Sequence, residues 1–493
     1  MTTPTETQCN AKYYSFGQLL RRKVVVDFSG GRLTHDGGVV LISRLDHHFR
    51  ISERLAECFT DGRERGKVQH ELKDLLAQRL YGLVQGYEDL NDHDFLRQDP
   101  MLGIAVGKLE SQHERCAPLA GKSTLNRLEQ AMHVPHDLDS ERYLKFGVNP
   151  EAVAQLLVEV SLDQIQSAPR QIILDMDVTN DEIHGHQEQG FFNGYYGQIC
   201  YAPLLMFWGH QLLGARLRPS NVDPAFGALE ELKRIIAQIR QRWPQVKIIV
   251  RGDSAYSRDD IMSWCEAQTN VQYVLAEGTN PRLVCRTQAL EQRAKRAYEQ
   301  HRQHIAATLE PLLGDAQALA AELDATVPAQ VWYQSFSYRT LESWSCERRV
   351  VCKLTYDAQG ARRHFVVTSL KTPTNKLHQD YYCPRGEMEN RIKEHQLDLF
   401  SDRTSTHEFE SNQLRLWFSS FAYVLMQALR RHGLAHTELA HAQCGTIRRK
   451  LLKVSAQIRI SVRRIVIAFS SHWPQQSLFT QVHARLQQLP RPG

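Results

Sequence analysis

The stretch Gln171-Ile-Ile-Leu-Asp-Met-Asp-Val-Thr179 predicts a largely apolar β-strand that carries two carboxylates near its end. Asp175 and Asp177 project to the same face, because successive side chains of a strand alternate between its two faces. An aspartate at a strand end can point at a metal ion while the strand holds it rigidly. Considered alone, such an aspartate is more often a turn former, so its meaning depends on partners elsewhere in the chain.

A second run, Val246-Lys-Ile-Ile-Val-Arg-Gly-Asp-Ser254, places Asp253 directly after another predicted strand. Up to Val250 the run is apolar apart from Lys247, which predicts a strand buried on both faces. Ligands collect in the loops at the carboxyl ends of such strands. The alternative interpretation is that Asp253 only caps the helix predicted from Ser257.

The hydrophobic pattern around these two runs predicts the element order β-β-β-α-β-α-β over residues 168–278. The elements are a strand at Ile172–Val178, apolar runs at Gly197–Phe207 and Gln211–Arg218 joined by a Gly209-His210 hairpin, a helix at Pro224–Arg242, a strand at Val246–Val250, a helix at Ser257–Ala267 and a strand at Val271–Leu275. The two aspartates therefore fall at the ends of the first and fourth strands.

A third acidic residue, Glu389, lies in the stretch Tyr382-Cys-Pro-Arg-Gly-Glu-Met-Glu-Asn-Arg-Ile-Lys393, which predicts a helix. Arg385 and Lys393 are four residues before and after it, so the three share one helix face. This face is either a pair of surface salt bridges or a metal-binding carboxylate beside two phosphate-binding cations. Two strand-end aspartates and one helix glutamate can hold a pair of divalent ions, as phosphodiester cleavage and joining require.

The remaining segments are predicted as helical or mixed regions. Helical periodicity marks Leu41–Leu55, Leu72–Gln85 and the exposed stretch Ala289–Leu323, while Val331–Leu370 predicts three strands of a small sheet. The predicted domains are a helical DNA-binding and assembly region at 1–165 (a plain helical scaffold being the alternative), the first part of a catalytic core at 168–278, an insertion domain at 279–370, the second part of the core at 371–435 and a basic region at 436–493.

Composition narrows the class of protein. The 493 residues are 42% hydrophobic and 23% charged, which is typical of a soluble globular protein, and the net charge is only +5. After Glu438 there is no acidic residue, and the segment contains Arg448, Arg449, Lys450, Lys453, Arg459, Arg463, Arg464, Arg485 and Arg491. Such a block of one sign usually binds a polyanion or stays solvated.

The scattered cysteines, and the lack of a signal core or of an apolar run long enough to cross a bilayer, predict a cytoplasmic protein without membrane attachment.

Several motifs together resemble one family of enzymes. They are Leu33-Thr-His-Asp-Gly-Gly38, Gly121-Lys-Ser-Thr-Leu-Asn-Arg-Leu128, Asp177-Val-Thr-Asn-Asp-Glu-Ile-His-Gly185, Phe192-Asn-Gly-Tyr-Tyr-Gly197, Arg251-Gly-Asp-Ser-Ala-Tyr256 and Arg385-Gly-Glu-Met-Glu-Asn-Arg-Ile-Lys-Glu394. With these motifs the chain resembles the DDE transposases of insertion sequences, in the superfamily with the Tyr-Arg-Glu-Lys signature and within it insertion-sequence family 1380. The resemblance implies an α/β fold with a ribonuclease-H-like catalytic core, interrupted by an inserted α+β segment and flanked by a helical N-terminal and a basic C-terminal region.

The resemblance also implies roles for individual residues. Asp177, Asp253 and Glu389 correspond to the catalytic, metal-binding triad, and Asp175 is a rival for Asp177. The accessory residues that contact DNA are Tyr382, Arg385 and Lys393. The lysine departs from the usual spacing, which falls on Gln396.

The implied reaction is metal-dependent cleavage at the ends of an insertion sequence followed by strand transfer into target DNA. The implied cofactor is a pair of Mg²⁺ ions, with Mn²⁺ as a substitute, and the implied assembly is a homodimer on double-stranded DNA. Arg448, Arg449 and Lys450 are predicted DNA contacts, and Trp332 or Trp344 either stacks on an unpaired base or belongs to the core of the small sheet. The alternatives are a nuclease of the same fold that cleaves without joining, and an inactive DNA-binding regulator.

Overall fold

A computed structural model of the chain describes residues 14–108, 117–133, 145–313 and 315–489. The chain divides into two compact units. Unit 1 comprises residues 1–150, 398–400 and 421–493, and unit 2 comprises residues 151–397 and 401–420. Strands and helices are mixed in both units, which confirms the predicted α/β class. The domain boundaries proposed from the sequence remain a prediction.

The first part of unit 1 is mostly helical, as predicted. Its elements are β1 (Tyr14–Leu19), β2 (Arg22–Val26), β3 (Leu33–Thr34), α1 (Val39–Phe49), α2 (Ile51–Glu57), β4 (Phe59–Asp61), α3 (Leu72–Gln85), α4 (His93–Leu96), α5 (Pro100–Val106), α6 (Lys122–Glu129), β5 (Met132–His133) and β6 (Phe146–Val148). The prediction for α3 is confirmed at both ends. The single helix expected over Leu41–Leu55 is wrong, because Arg50 adopts a left-handed conformation (φ +53°) that separates α1 from α2.

The apolar run predicted at Gly197–Phe207 is two strands in different sheets, at Gln198–Tyr201 and Leu204–Trp208. Unit 2 contains these strands, the other elements predicted around the two aspartates, and further helices and strands. They are α7 (Pro150–Asp163), β7 (Gln171–Val178), β8 (Asp181–Glu182), β9 (Phe191–Asn193), β10 (Gln198–Tyr201), β11 (Leu204–Trp208), β12 (Gln211–Arg216), α8 (Ala228–Arg242), β13 (Lys247–Gly252), α9 (Asp259–Ala267), β14 (Val271–Glu277), α10 (Pro281–Arg286), α11 (Gln288–Leu313), α12 (Ala316–Thr326), β15 (Gln330–Tyr338), β16 (Arg348–Asp357), β17 (Gly360–Thr368), α13 (Thr374–Lys376), α14 (Gly386–Lys393) and α15 (Phe409–Ala428), the last of which continues into unit 1.

One eight-stranded sheet organises unit 2. Its strand order is β12-β11-β7-β13-β14-β17-β16-β15. β7, β13 and β14 run parallel to one another, and the other neighbours are antiparallel. Because β7 and β13 are adjacent and parallel, their carboxyl ends meet at one edge of the sheet, which brings Asp177 and Asp253 to the same place.

The separate small sheet predicted after residue 330 is wrong. β17 pairs with β14 in an antiparallel register that joins Leu275 to Val367, so β15–β17 extend the main sheet. The reason is burial: Val366 and Val367 are fully buried, and β14 needs a hydrogen-bonding neighbour on its second edge. Hydrophobic patterning identifies such strands but does not identify their partners.

Two predicted helices have different limits in the structure. α8 begins at Ala228 rather than at Pro224, because Gly227 adopts a positive φ of +76° and interrupts the helical backbone before it. The single helix expected over Ala289–Leu323 is two helices, because the carboxylate of Asp315 accepts hydrogen bonds from the first amides of α12 and starts a new helix.

The segment that carries Glu389 is helical from Thr374 to Asp398. α13 continues into a π-helical stretch at Leu377–Tyr382, a 3₁₀ turn at Cys383–Arg385, then α14, and another π-helical stretch at Glu394–Asp398. Pro384 lies in the 3₁₀ turn, where the missing amide hydrogen costs no intrahelical bond. Wide π-helical turns change which side chains share a face, so they set the direction in which α14 presents its residues.

The last elements complete unit 1. They are α16 (Cys444–Ile447), β18 (Ala456–Ile460), β19 (Ile465–Phe469) and α17 (Gln476–Gln487). β18 pairs with both β19 and β3. The apolar stripe of α15 is buried, at Leu414, Trp417, Phe421, Val424 and Leu425. None of the helices in the described ranges combines the length and the hydropathy that a bilayer-crossing helix requires.

Candidate active site

A cavity of about 770 Å³ opens at the carboxyl edge of β7 and β13. All three carboxylates predicted from the sequence line it: Asp177, Asp253 and Glu389. The other residues that line it are Val178, Thr179, Asn180, Asn193, Tyr195, Tyr196, Ala202, Arg218, Ser220, Val222, Pro224, Ser254, Ala255, Tyr256, Arg258, Arg385, Ile392, Lys393 and Gln396. Carboxylates up to 212 positions apart in the sequence, Asp177 and Glu389, therefore share one cavity, as the prediction required.

Asp177 is held near the end of β7, where it is paired opposite Leu205 of β11. Its Oδ1 accepts a hydrogen bond of 2.9 Å from the backbone amide of Val178. Burial raises the pKa of Asp177 to about 6; Arg385 opposes this shift, while Asp253 and Glu389 add to it. The raised pKa indicates a carboxylate that is destabilised by its surroundings and that a cation would stabilise.

Asp253 follows β13 and does not cap the helix that follows, because that helix begins at Asp259 after Arg258. Its Oδ1 accepts a hydrogen bond of 2.9 Å from the amide of Ala255, so it caps the 3₁₀ turn Ser254–Tyr256, and it also lines the cavity. Gly252 allows this approach, because a β-carbon there would lie 2.8 Å from the ring of Tyr256. The cap fixes one carboxylate oxygen and leaves the other, Oδ2, facing Arg385.

Arg385 stands between the two aspartates. Its Nη2 donates a hydrogen bond of 2.6 Å to Oδ2 of Asp177 and lies 4.0 Å from Oδ2 of Asp253. Burial alone would lower the pKa of Arg385, but the neighbouring Asp177, Asp253 and Glu389 give it a net rise. The guanidinium is therefore the positive charge that offsets carboxylate repulsion in this cavity.

Of the two interpretations given for the α14 face, the geometry of Arg385 favours the one without a surface salt bridge to Glu389. Glu389 and Lys393 are both exposed and line the cavity, and Arg385 is directed to the aspartates rather than to Glu389. Gln396, at the usual position of the lysine in the resemblance, donates hydrogen bonds to Thr179 Oγ1 and Asp181 Oδ1 at 3.1 and 3.0 Å. It therefore ties the helical segment to the loop after β7, while Lys393 keeps its ammonium at the cavity.

The donor set fits a hard divalent cation. Its three members are carboxylates, the ligands that Mg²⁺ and Mn²⁺ prefer, and the raised pKa of Asp177 comes in part from its two acidic neighbours. In the described ranges no three acidic, histidine or cysteine side chains are already close enough together to hold a metal.

Asp175, the alternative candidate to Asp177 in the triad, makes different contacts. Its two oxygens accept hydrogen bonds from Nε and Nη2 of Arg251 at 2.5 and 2.8 Å, and both side chains are buried. Arg251 also donates to the carbonyl of Tyr381. Asp175 does not line the cavity, so of the two aspartates Asp177 is the one available to a ligand there.

The aromatic residues singled out from the sequence lie away from the cavity lining. Tyr382 packs against His364, with ring centroids 4.7 Å apart, and burial raises its pKa. Trp344 is 2% exposed and packs edge-on against Tyr338, and Trp332 is partly buried beneath Arg293. Trp344 is therefore a core residue, whereas the partly buried Trp332 leaves both interpretations open.

Sequence reasoning missed the residues that form the opposite wall of the cavity. Arg218 is almost fully buried and donates hydrogen bonds to the carbonyls of Ala202, Pro224 and Phe226. Asn193 accepts hydrogen bonds from the amides of Tyr195 and Tyr196, which leaves Tyr195 90% exposed at the cavity. The motif Phe192-Asn-Gly-Tyr-Tyr-Gly197 was the available signal, since an Asn-Gly turn followed by two tyrosines is a compact way to present an aromatic ring.

The predicted DNA contacts of the basic segment lie in unit 1 and differ from one another. Arg448 donates hydrogen bonds to the carbonyls of Leu83, Val84 and Asp398, and burial lowers its pKa. Its guanidinium is thus used within the unit, which is not the setting of a phosphate contact. Arg449 and Lys450 are exposed. Arg491 lies outside the described residues.

Comparison with known proteins adds two findings. The family model described as "Transposase DDE domain group 1" matches residues 16–491. A solved structure, described as the cryo-EM structure of a piggyBac transposase synaptic complex with hairpin DNA, is similar at 9% sequence identity, with 85% of this chain and 80% of that chain covered and a TM-score of 0.40. No protein with a curated description matches the chain.

Proposed function

Because the chain belongs to the transposase DDE domain group 1 family and is thus an enzyme that acts on DNA, we propose that it cleaves DNA at the ends of an insertion sequence and joins those ends to target DNA. The observation that carries the proposal is the meeting of Asp177, Asp253 and Glu389 in one cavity with Arg385 between the aspartates. Within the family, the motifs favour the Tyr-Arg-Glu-Lys superfamily and insertion-sequence family 1380.

The DDE transposase family generally uses divalent metal ions, and we infer that Asp177, Asp253 and Glu389 hold them here. When bound, two Mg²⁺ ions, or Mn²⁺ in their place, supply Lewis acids that activate an attacking oxygen and stabilise a leaving one. Arg385 and Lys393 then bind the scissile phosphate, since a guanidinium and an ammonium on one helix face suit phosphate oxygens. Cations held by Asp177 and Asp253 would neutralise these carboxylates, which would leave the Arg385 guanidinium available to phosphate oxygens.

The proposed architecture is a ribonuclease-H-like core with the helical and basic regions as DNA-binding parts. Its support is the order β7-β11-β12-α8-β13-α9-β14 of the main-sheet strands and their helices, with β7 at the centre of the first five strands and parallel to β13. We further propose that two copies act together on paired double-stranded DNA ends, and that Arg449 and Lys450 contact phosphates. A linear decrease of log affinity with log salt concentration would accompany those contacts.

The test uses the purified full chain, Mg²⁺ and DNA that contains the element ends. Asp253→Asn, Asp177→Asn and Glu389→Gln are each expected to lower cleavage by more than about 10³-fold, because each removes a ligand charge while keeping the side-chain shape. DNA binding, measured by gel shift, should remain. Asp324→Asn, which changes an exposed carboxylate on α12, is the matched control. Wild-type cleavage rates in Asp253→Asn would refute the triad.

Strand transfer separates the proposal from its nearest alternative. Precut ends with free 3′-hydroxyls should join to target DNA when the wild-type chain and Mg²⁺ are present. A nuclease of the same fold would cleave intact ends but leave precut ends unjoined. An inactive DNA-binding regulator would bind both substrates and change neither.

A further inference from the structure

Two β-hairpins of unit 1 end in tips of the same composition. The tip of β1–β2 is Leu20-Arg21, followed by Arg22-Lys23, and the tip of β18–β19 is Val462-Arg463, followed by Arg464. Leu20 is 88% exposed and Val462 is fully exposed. No acidic residue occurs between residues 7 and 26 or after Glu438. Each tip therefore presents a highly exposed apolar side chain, Leu20 or Val462, next to consecutive cations.

The β18–β19 tip is held in a tight turn. The amide of Ser461 donates to the carbonyl of Arg464 at 2.9 Å, and the Ser461 hydroxyl bonds to both the carbonyl and the amide of Arg464. The base of the hairpin is fixed by buried Ile458, whose amide donates to the carbonyl of Arg32. Phe469 at the far end of β19 packs against Trp473 and Phe479. Val462 is thus projected by an anchored hairpin.

The β1–β2 tip adopts a conformation that its residues do not favour. Leu20 and Arg21 have φ values of +48° and +69°, the left-handed region that glycine and asparagine occupy more easily in two-residue hairpin turns. A leucine and an arginine in these positions are poor choices for the turn itself. Such strained backbone is found where a side chain has a function at that place.

We propose that these hairpin tips bind duplex DNA, with Val462 and Leu20 as apolar wedges in the minor groove and the adjacent cations on the flanking phosphates. An apolar side chain inserted between two partly unstacked base pairs leaves water and contacts the bases. The insertion bends the duplex, and the bend brings more phosphates into contact with the protein. The minor groove concentrates negative potential that attracts arginine. Two copies of the chain would bring like charges together at these tips, so the charges favour a polyanion over a second copy.

This inference rests on the DNA-directed activity of the family and not on the catalytic triad. The hairpin residues Leu20, Val462, Arg463 and Arg464 belong to unit 1, whereas Asp177, Asp253 and Glu389 belong to unit 2. DNA bending and DNA cleavage can therefore be measured independently, and the two proposals can fail separately.

The test measures binding and bending by the full chain on duplex DNA that carries the element end. Energy transfer between dyes at the duplex ends reports the bend, and fluorescence anisotropy across a salt series reports affinity. Val462→Ser keeps every charge, so it is expected to lose the bend and to bind several-fold more weakly with an unchanged salt dependence. Arg463→Ala with Arg464→Ala is expected to reduce the slope of log affinity against log salt by about 1.8, at about 0.9 for each phosphate contact.

Lys295→Ala with Arg296→Ala is the matched control, since it removes two adjacent exposed cations from α11 of unit 2. It should change neither the bend nor the salt slope. Circular dichroism of each variant verifies folding, and Leu20→Ser repeats the wedge test on the other hairpin. Wild-type bending by Val462→Ser would overturn the inference. A Val462→Ser variant that bends DNA normally but changes its oligomeric state would also overturn the inference, because the tip would then serve protein association. Asp253→Asn should bend DNA normally, so its cleavage result bears only on the triad.

Discussion

At the residue scale, Arg385 is the position on which the chemistry of the cavity depends. It lies 2.6 Å from Asp177 and 4.0 Å from Asp253, and it opposes the rise in the pKa of Asp177. A carboxylate must be deprotonated to bind a cation, so Mg²⁺ affinity should fall as the pH falls through about 6, where Asp177 takes up a proton. If the proposed cations bind here, Arg385 is therefore expected to extend their binding to lower pH.

Arg385→Gln should move the lower pH limit of cation binding to higher pH. Removing the guanidinium removes the main influence that lowers the pKa of Asp177, so the carboxyl stays protonated over a wider range. Isothermal titration of Mg²⁺ at several pH values measures the shift. Arg302→Gln, at an exposed ion pair on α11, should leave the profile unchanged. Identical profiles for Arg385→Gln and the wild-type chain would contradict this account.

Asp181 provides a separate prediction about stability and pH. Burial raises its pKa to about 8, although the amide of Gln396 donates to its Oδ1. The folded chain thus keeps this proton while the unfolded chain, with a pKa near 3.8, releases it. The contribution of Asp181 to stability is therefore full below pH 3.8, declines as the pH rises from there, and is lost once the pH has passed about 8.

Asp181→Asn should remove this pH dependence, because an amide keeps the hydrogen bond without ionising. Between pH 4 and 8 the unfolding free energy of the variant should increase relative to that of the wild-type chain by about 1.4 kcal/mol per pH unit. Denaturant unfolding at a series of pH values measures the gain, with Asp324→Asn as the exposed control. A parallel decline in both variants would show that Asp181 does not hold the extra proton.

The choice between Asp175 and Asp177 shows what the sequence alone does not contain. Alternation along β7 puts both on one face, and both precede a loop. Their different roles come from Arg251 on the adjacent strand, in register with Asp175 and hydrogen-bonded to both of its oxygens. A cross-strand partner depends on which strands pair, and local patterning does not encode that pairing.

At the scale of elements, the β7–β13 pair holds the site together through this buried ion pair. Asp175→Ala would leave the guanidinium of Arg251 buried without its partner, and removing one member of a buried pair typically costs about 3–5 kcal/mol. Thermal and denaturant unfolding should show a loss of this size. Asp324→Ala breaks the exposed pair with Arg302 and should cost less than about 1 kcal/mol. Equal losses in the two variants would argue against a special role for the Asp175–Arg251 pair.

The elements themselves were largely predictable, and their partners were not. Apolar runs bounded by turn residues predicted β7, β11–β14 and the helix α3. They do so because burial of one face requires apolar residues to recur at the period of the strand or helix. The same rule found β15–β17 but assigned them to a separate sheet, since nothing local distinguishes a strand that pairs with β14 from one that does not. The cavity carboxylates were found because strand ends and a helix face are local features. Its other wall, with Arg218 and Asn193, was missed because those residues act through tertiary hydrogen bonds.

At the scale of the whole molecule, the two units divide the charges between them. The carboxylates of the cavity all lie in unit 2, and the acid-free basic segment after Glu438 lies in unit 1. The number of cations in this segment overstates how many are available to DNA, because Arg448 donates its hydrogen bonds to main-chain carbonyls. The exposed cations of unit 1, among them Arg449, Lys450 and the hairpin tips, are the ones available to phosphates.

This division gives a whole-molecule prediction for metal ions. A cation that binds the folded chain stabilises it by about 2.7 kcal/mol at a hundred times its dissociation constant. Because Asp177, Asp253 and Glu389 all belong to unit 2, Mg²⁺ should raise the melting temperature of the calorimetric transition that belongs to this unit and leave that of unit 1 unchanged. KCl at equal ionic strength should shift neither transition in this way. The double variant Asp253→Asn with Glu389→Gln should no longer respond to Mg²⁺. Because it also lacks the repulsion between carboxylates, its stability without Mg²⁺ should be closer to that of the metal-bound wild-type chain. An equal Mg²⁺ shift in this variant and in the wild-type chain would place the ion elsewhere.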